Sequence, residues 1–330
     1  MFATKRTRWV TIIVMLALAI LPPVFLWTGH AFYLDLATRL VILAIAAVSL
    51  NLVLGYGGLV SFGHAAYIGI GAYAVGIPVY HETYGGFDVA ASYGGVFHIL
   101  LAVGISALFA LITGAISLRT KGVYFIMITM AFAQMAYYLF LSLDEYGGDD
   151  GLVIEVRSEL PLVNLDNPLQ LYLIAYVSLV AALLIVRTII HSRFGMVLQG
   201  AKGNNERLVT LGYNTYLYRL TAYVISGAMC GFAGALLGNF TTFISPEMMG
   251  WSRSGELMFM VILGGTGSTL GPVLGSAVFI LVEEILSSFT VFWHLPFGLM
   301  LMGVVLFARG GLMGLIRGTG KGTGKGNGDK

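Results

Sequence analysis

The residues of this chain that could do chemistry are polar groups set singly into apolar runs. His64 follows Gly63, Asn51 and Gln134 interrupt long apolar stretches, and Glu256 lies near the start of another. Ionisable groups in such surroundings are costly to bury and are functional candidates by default. Glu256 is either a structural charge favoured by a helix dipole or a gating or pathway group. His64 is either a capping, fully hydrogen-bonded histidine or a proton carrier. Asn51 and Gln134 either bond across helices or touch a substrate. Arg39 stands four residues after Asp35, which reads as a local ion pair, and Glu283 and Glu284 lie near the outer end of an apolar run. No paired carboxylate, His/Cys cluster or Ser/His/Asp set has catalytic or metal-binding spacing, so no catalytic residue and no metal is expected. The single Cys230 reads as a small packing residue and cannot form an intrachain disulfide.

Three glycine-dense stretches are the next signal. Gly227, Gly231, Gly234 and Gly238 are spaced for close helix packing in lipid. The other two differ, because they combine glycine with Ser, Thr or Pro and cannot remain regular helix. One runs through 55–64 and includes Gly57, Gly58, Ser61 and His64. The other runs through 264–272 and includes Gly264, Gly265 and Gly267. Irregular backbone at membrane depth survives only inside protein or beside a water-filled cavity, and a broken helix in each half of a chain points to a transport pathway. Two tight turns at the membrane surface are the plainer alternative.

The elements that must position these groups are helices in a membrane. Of 330 residues, 58% are hydrophobic and 10% are charged, where a soluble domain carries about a quarter charged residues. That excludes a soluble enzyme with one anchor, a disordered chain and a nucleic-acid-binding protein. Continuous rather than alternating apolar runs exclude a β-barrel. The expected fold is an all-α polytopic membrane protein of about 8–10 transmembrane helices. Candidates lie near 9–27, 36–54, 64–80, 96–117, 122–143, 169–190, 218–241, 253–265, 269–289 and 293–308, of which 253–265 is too short to span alone. The first resembles a signal peptide but continues past Pro22-Pro23, so it reads as a retained helix.

Basic residues orient the chain. With both termini cytoplasmic, all of the 18 Lys and Arg residues except Arg39, Arg157 and Arg253 fall on the cytoplasmic side. Residues 1–316 then form one transmembrane domain, with an acidic external loop at 144–168 and a cytoplasmic loop at 191–219. The Gly/Lys tail 317–330 is too polar to order itself; a basic strip on anionic lipid is its alternative reading. Within 191–219, Asn204 or Asn205 can cap a short helix with Glu206 in its first turn, Leu208 and Leu211 form an apolar face flanked by Arg207, and Gly212 stops it. Such a helix suits docking on a cytoplasmic partner or lying on the lipid surface.

Several stretches, in order along nearly the whole chain, resemble one family. They are Asn51-Leu-Val-Leu-Gly-Tyr-Gly-Gly-Leu-Val-Ser-Phe-Gly-His-Ala-Ala-Tyr67, Leu118-Arg-Thr-Lys-Gly-Val-Tyr-Phe125, Ala131-Phe-Ala-Gln-Met135 and Ser192-Arg-Phe-Gly195. Further matches are Asn205-Glu206, Leu211-Gly-Tyr213, Ser254-Gly-Glu256 and Val261-Ile-Leu-Gly-Gly-Thr-Gly-Ser-Thr-Leu-Gly-Pro-Val-Leu-Gly275. The chain is similar to the LivM-type inner-membrane permease subunits of ABC importers for branched-chain amino acids. That resemblance implies the bacterial inner membrane, a second homologous permease subunit, two cytoplasmic ATP-binding subunits that hold ATP and Mg, and a periplasmic substrate-binding protein. It also implies that 205–212, with Glu206 and Gly212 at the spacing of the family's Glu-Ala-Ala-x-x-x-Gly pattern and Arg207 and Leu208 in place of the alanines, is the ATPase-coupling helix. Asn205, Leu211 and their neighbours would then sit in an ATPase cleft. The chain has no Gly-x4-Gly-Lys-Ser/Thr phosphate loop, so it carries no nucleotide cofactor of its own. The expected function is inward movement of a branched-chain or hydrophobic amino acid by alternating access. Urea or short amides in the same importer class, and a self-sufficient secondary transporter or channel, are the alternatives.

Overall fold

The computed structural model describes residues 5–28, 31–85, 92–161, 163–289, 292, 294–307 and 310–317. Helices dominate because nearly every segment is an apolar run whose backbone can satisfy itself only internally. In chain order they are α1 (Lys5–Thr28), α2 (Ala31–Asn51), α3 (His64–Tyr84), α4 (Gly95–Ser117), α5 (Val123–Leu141), α6 (Pro168–His191), α7 (Arg193–Gly203), α8 (Asn205–Thr210), α9 (Thr215–Thr241), α10 (Trp251–Gly264), α11 (Gly271–Phe289), α12 (His294–Phe307) and α13 (Gly311–Arg317). The sequence-based boundaries of the long helices agree to within a few residues.

Six helices among the described residues are long and apolar enough to cross a membrane: α2 with its continuation to Tyr56, α4, α5, α6, α9 and α11. The 14 residues of α10 fall short of a span, as their length in the sequence indicates. The tail 318–330 lies outside the described residues.

Burial separates the centre from the rim. In α2, 83% of the most apolar window is buried, against 22% in α5, so α2 is a core helix and α5 a peripheral one. Around α2 pack α6, α9, α10 and α11, while α3 and α4 both pack on α9. The α9 glycines allow this. Gly231 lies against Ser106 and Gly227 against Ala110 of α4, while Gly234 and Gly238 approach Ile68 and Ala72 of α3. Small-residue stripes let helix backbones close up where lipid gives no hydrophobic drive.

Among its described residues, the acidic segment 144–168 forms short turns and strands and no long helix. Strand β1 (Leu152–Val153) pairs antiparallel with β2 (Phe243–Ile244), Leu152 opposite Ile244. His98 bridges Ser158 Oγ (2.7 Å) and Ser92 O (2.8 Å), and Asn239 Oδ1 accepts from Ser158 N–H at 2.9 Å. Pro168 opens α6, where its missing N–H costs nothing, and Asn167 caps the helix by accepting from Leu169 N–H. These contacts fasten the segment over the β1/β2 end of the bundle, opposite the α7/α8 end.

Candidate functional site

The two glycine-dense breaks meet. After Asn51 the α2 register widens into a π-helical turn, Leu52–Tyr56, and the chain then runs irregularly to His64. On the other side of the junction α10 ends at Gly264, and residues 265–270 turn back into α11. Asn51 joins the two. Its Nδ2 donates to Ser268 O at 2.9 Å and its Oδ1 accepts from Gly267 N–H at 3.0 Å. Asn51 is 1% exposed, so both bonds form away from water. A Cβ on Gly55 would coincide with the Asn51 amide oxygen and stand 2.5 Å from Gly267 N; only glycine allows this approach. Gly265 and Gly267 adopt φ of +110° and +73°, a backbone region open to glycine. Ser268 Oγ closes the turn, donating to Gly265 O and accepting from Gly271 N–H.

A buried polar hub lies beside this junction, between the break and α9. Ser226 Oγ donates to Ser49 O at 2.6 Å, which uses its only proton. Its contact with His64 Nε2 at 2.9 Å therefore has the imidazole as donor. In the neutral tautomer Nδ1 then accepts from Ser61 Oγ at 3.1 Å, while Ser61 Oγ accepts from Gly63 N–H and meets Tyr223 OH at 3.2 Å. Tyr223 packs edge-on against His64 and Tyr67, and Tyr67 OH meets Thr113 Oγ1 at 3.0 Å. Ser61, His64, Tyr67, Tyr223 and Ser226 are all buried. The geometry is that of a fully hydrogen-bonded histidine that braces α3 against α9.

The α7/α8 end is tied directly to the first break. Ser192 caps α7 and Asn204 caps α8, the latter accepting from Arg207 N–H at 3.0 Å. Lys202, near the end of α7, donates to Gly55 O at 2.7 Å, and its aliphatic stem lies against Gly58. Arg219 at the base of α9 donates to Ala201 O at 2.9 Å. In α8, Glu206 and Arg207 are exposed and Asn205 is half-buried. Leu208 turns inward onto Gly200, whereas Leu211 is 65% exposed. The two leucines do not share one outward face as the spacing suggests, because α8 ends at Thr210 and Leu211 lies past its last turn. Gly212 then takes φ +88°, the expected stop.

The intramembrane charges pair differently from the sequence reading. Arg39 pairs with Glu283 of α11 at 2.9 Å rather than with Asp35: Arg39 points across the α2–α11 contact, while Asp35 is exposed. Glu256 pairs with Arg253 at 3.0 Å, and Arg253 also reaches Glu247 at 3.6 Å. Gln134 stands apart in α5, its Nε2 buried without a partner. Gly57, Gly58, Ser61, His64, Gly264, Gly265 and Gly267 thus converge around the junction, while Gln134 and Glu256 share no hydrogen bond with it. Ser268, inside the second glycine-dense stretch, and Lys202, Ser226, Tyr223 and Arg219 complete the arrangement, and nothing in the sequence context of the last four singles them out.

A bundle of apolar helices with two broken segments clasped together, and a polar helix pair fastened to one of them, defines a membrane transport component. Residues 32–309 match the family described as branched-chain amino acid transport system / permease component, and the chain belongs to that family. It is 25% identical to the high-affinity branched-chain amino acid transport system permease protein LivM of Salmonella typhimurium, over 86% of this chain and 70% of that protein. With LivM of Escherichia coli the identity is 25% over 93% of this chain and 75% of the relative. The E. coli permease protein LivH is 26% identical over 36% of this chain and 37% of its own length. No solved structure matches the chain.

Proposed function

We propose that this chain is one permease subunit of an ATP-driven ABC importer and moves a branched-chain or other hydrophobic amino acid inward by alternating access. The supporting observation is the continuous connection from α8 through α7 and Lys202 to Gly55, and through Asn51 to Gly267 and Ser268. A push on the α7/α8 end would reach both broken segments through this path. Packed elements with two discrete arrangements are what convert such a push into opening on one side and closing on the other. The bias of basic residues supports a cytoplasmic α7/α8 end, with both termini on that side and the β1/β2 end outward. Nucleotide-driven closure would come from two ATP-binding subunits holding ATP and Mg, gripping Asn205–Gly212. A second, homologous permease would complete the pathway, and a periplasmic binding protein would deliver the substrate in the bacterial inner membrane.

Affinity purification of the chain from its native membrane, reconstitution of the recovered assembly in vesicles and uptake of labelled leucine test this reading. Co-recovery of ATPase and second permease subunits, with uptake that requires ATP inside the vesicles and is not competed by urea, is the expected result. Uptake by the chain alone, driven by a proton or sodium gradient without ATP, would overturn it. Deleting 203–213 sharpens the test: the importer reading requires loss of ATP-dependent uptake with the helical bundle still folded.

A further inference from the structure

A cavity of about 470 Å³ opens at the α7/α8 end, between the start of α5, the first break, the end of α7 and the base of α9. Lys121, Lys202 and Arg219 line it, no Asp or Glu does, and none of the three is in an ion pair among the described residues. Arg219 has its Nε buried without a partner, although its Nη2 is held by Ala201 O. The Asn205 amide also lines the cavity with its Oδ1 buried and unpartnered; turning that amide over would present an NH2 donor instead. Val60 and the buried Phe125 add apolar lining. Beside it the exposed apolar side of α5 begins, with Val123, Tyr124 and Met127 all open to the surroundings.

We propose that this cavity is a phosphate-binding site whose occupant is the headgroup of an anionic phospholipid. Three cations with no carboxylate disfavour a zwitterionic amino acid, whose ammonium group would find no acceptor charge. They favour a phosphate, which arginine and lysine bind by charge-assisted hydrogen bonds. The volume exceeds that of inorganic phosphate and admits a headgroup, and the adjoining apolar face of α5 gives acyl chains a track. Basic pockets between spans on the cytoplasmic side suit such lipids. Assignment to the inner leaflet rests on the orientation proposed above; the binding itself does not. Because Lys202 also holds Gly55 O, an occupant would brace the contact between α7 and the first break.

The test uses the full chain purified in detergent and placed in phosphatidylcholine vesicles with or without phosphatidylglycerol, with native mass spectrometry counting the phosphatidylglycerol retained. Lys121→Gln should weaken retention roughly fivefold and Lys121→Gln/Arg219→Gln further, while Lys121→Arg keeps it. Lys121 is exposed and unpaired among the described residues, so Lys121→Gln should melt like the parent in phosphatidylcholine alone and separates binding from folding. Retention that resists millimolar inorganic phosphate identifies lipid as the source. Displacement by inorganic phosphate, with the same dependence on Lys121, keeps the phosphate site but assigns it to a soluble phosphate. Equal phosphatidylglycerol retention by the parent and both glutamine variants, with no phosphate effect, overturns the proposal. Because the readout is binding, it stands or falls separately from transport.

Discussion

Replacing Asn51 by leucine keeps the number and branching of the side-chain heavy atoms and removes both of its hydrogen bonds. Gly267 N–H and Ser268 C=O would then be left in an irregular turn, with no helical partner to take them up. A buried backbone group stranded in this way costs about 1–3 kcal/mol. Interhelical side-chain bonds in membranes are weaker, about 0.6 kcal/mol on average, because the unfolded chain in lipid re-pairs its groups. The stranding term dominates here because Asn51 serves two backbone groups that are fixed by the turn, and the expected loss is about 3 kcal/mol. Thermal melts of the detergent-solubilised chain read this directly. Gly55→Ala should cost a similar amount, since the new Cβ collides with the Asn51 amide and with Gly267 N. The double variant should cost clearly less than the two losses added, as residues in one contact network do. Asn239→Leu is the internal comparison: it also breaks two buried bonds, to Ser158 N and Ala235 O, but at the opposite end of the bundle. It should lower stability without uncoupling transport. An Asn51→Leu protein that melts like the parent would refute the view that this residue clasps the two breaks.

Three further outcomes follow from the same geometry. Glu283→Gln should cost about 1–2 kcal/mol, the buried-pair figure reduced because Arg39 is 35% exposed, and adding Arg39→Gln should recover part of the loss in chemical-denaturation curves. Lys202→Met removes one charge-assisted bond from a mostly exposed residue, so folding should change by about 1 kcal/mol or less, whereas ATP-dependent uptake per ATP hydrolysed should fall several-fold in the reconstituted assembly; an unchanged ratio would count against the Lys202 connection. His64→Ala leaves Ser61, Ser226 and a void among buried aromatics, with an expected loss of about 2–4 kcal/mol, and His64→Gln should recover part of it; full stability with His64→Ala would contradict the bracing role.

The helices and their interruptions were legible because apolar runs and glycine clusters are local signals. The first break, expected at 55–64, is a π-helical turn followed by irregular chain up to His64, and the second, expected at 264–272, turns between Gly264 and Gly271. The close packing read from Gly227, Gly231, Gly234 and Gly238 is present on both faces of α9. What sequence could not show is which distant groups meet. Asn51 and Ser268 stand 217 positions apart, and no local pattern pairs them. Lys202 looks like any loop lysine that marks topology, and only the folded chain brings its ammonium to Gly55 O. Arg39 illustrates the converse, since an i,i+4 acid offered a nearby explanation that the α2–α11 packing overrides with Glu283. Leu208 and Leu211 were separated by a helix end one residue earlier than their spacing required.

The most direct measurement is the distance across the junction during the transport cycle. Spin labels at Leu59 and Thr266, one in each break, would report it by pulsed electron paramagnetic resonance in the reconstituted assembly; Cys230 is buried and is replaced by alanine as a precaution. A distance distribution that shifts between the nucleotide-free and ATP-trapped states, and no longer shifts in Lys202→Met, is the expected result. A distribution that stays fixed while ATP-dependent uptake proceeds would contradict the role assigned to the two clasped breaks.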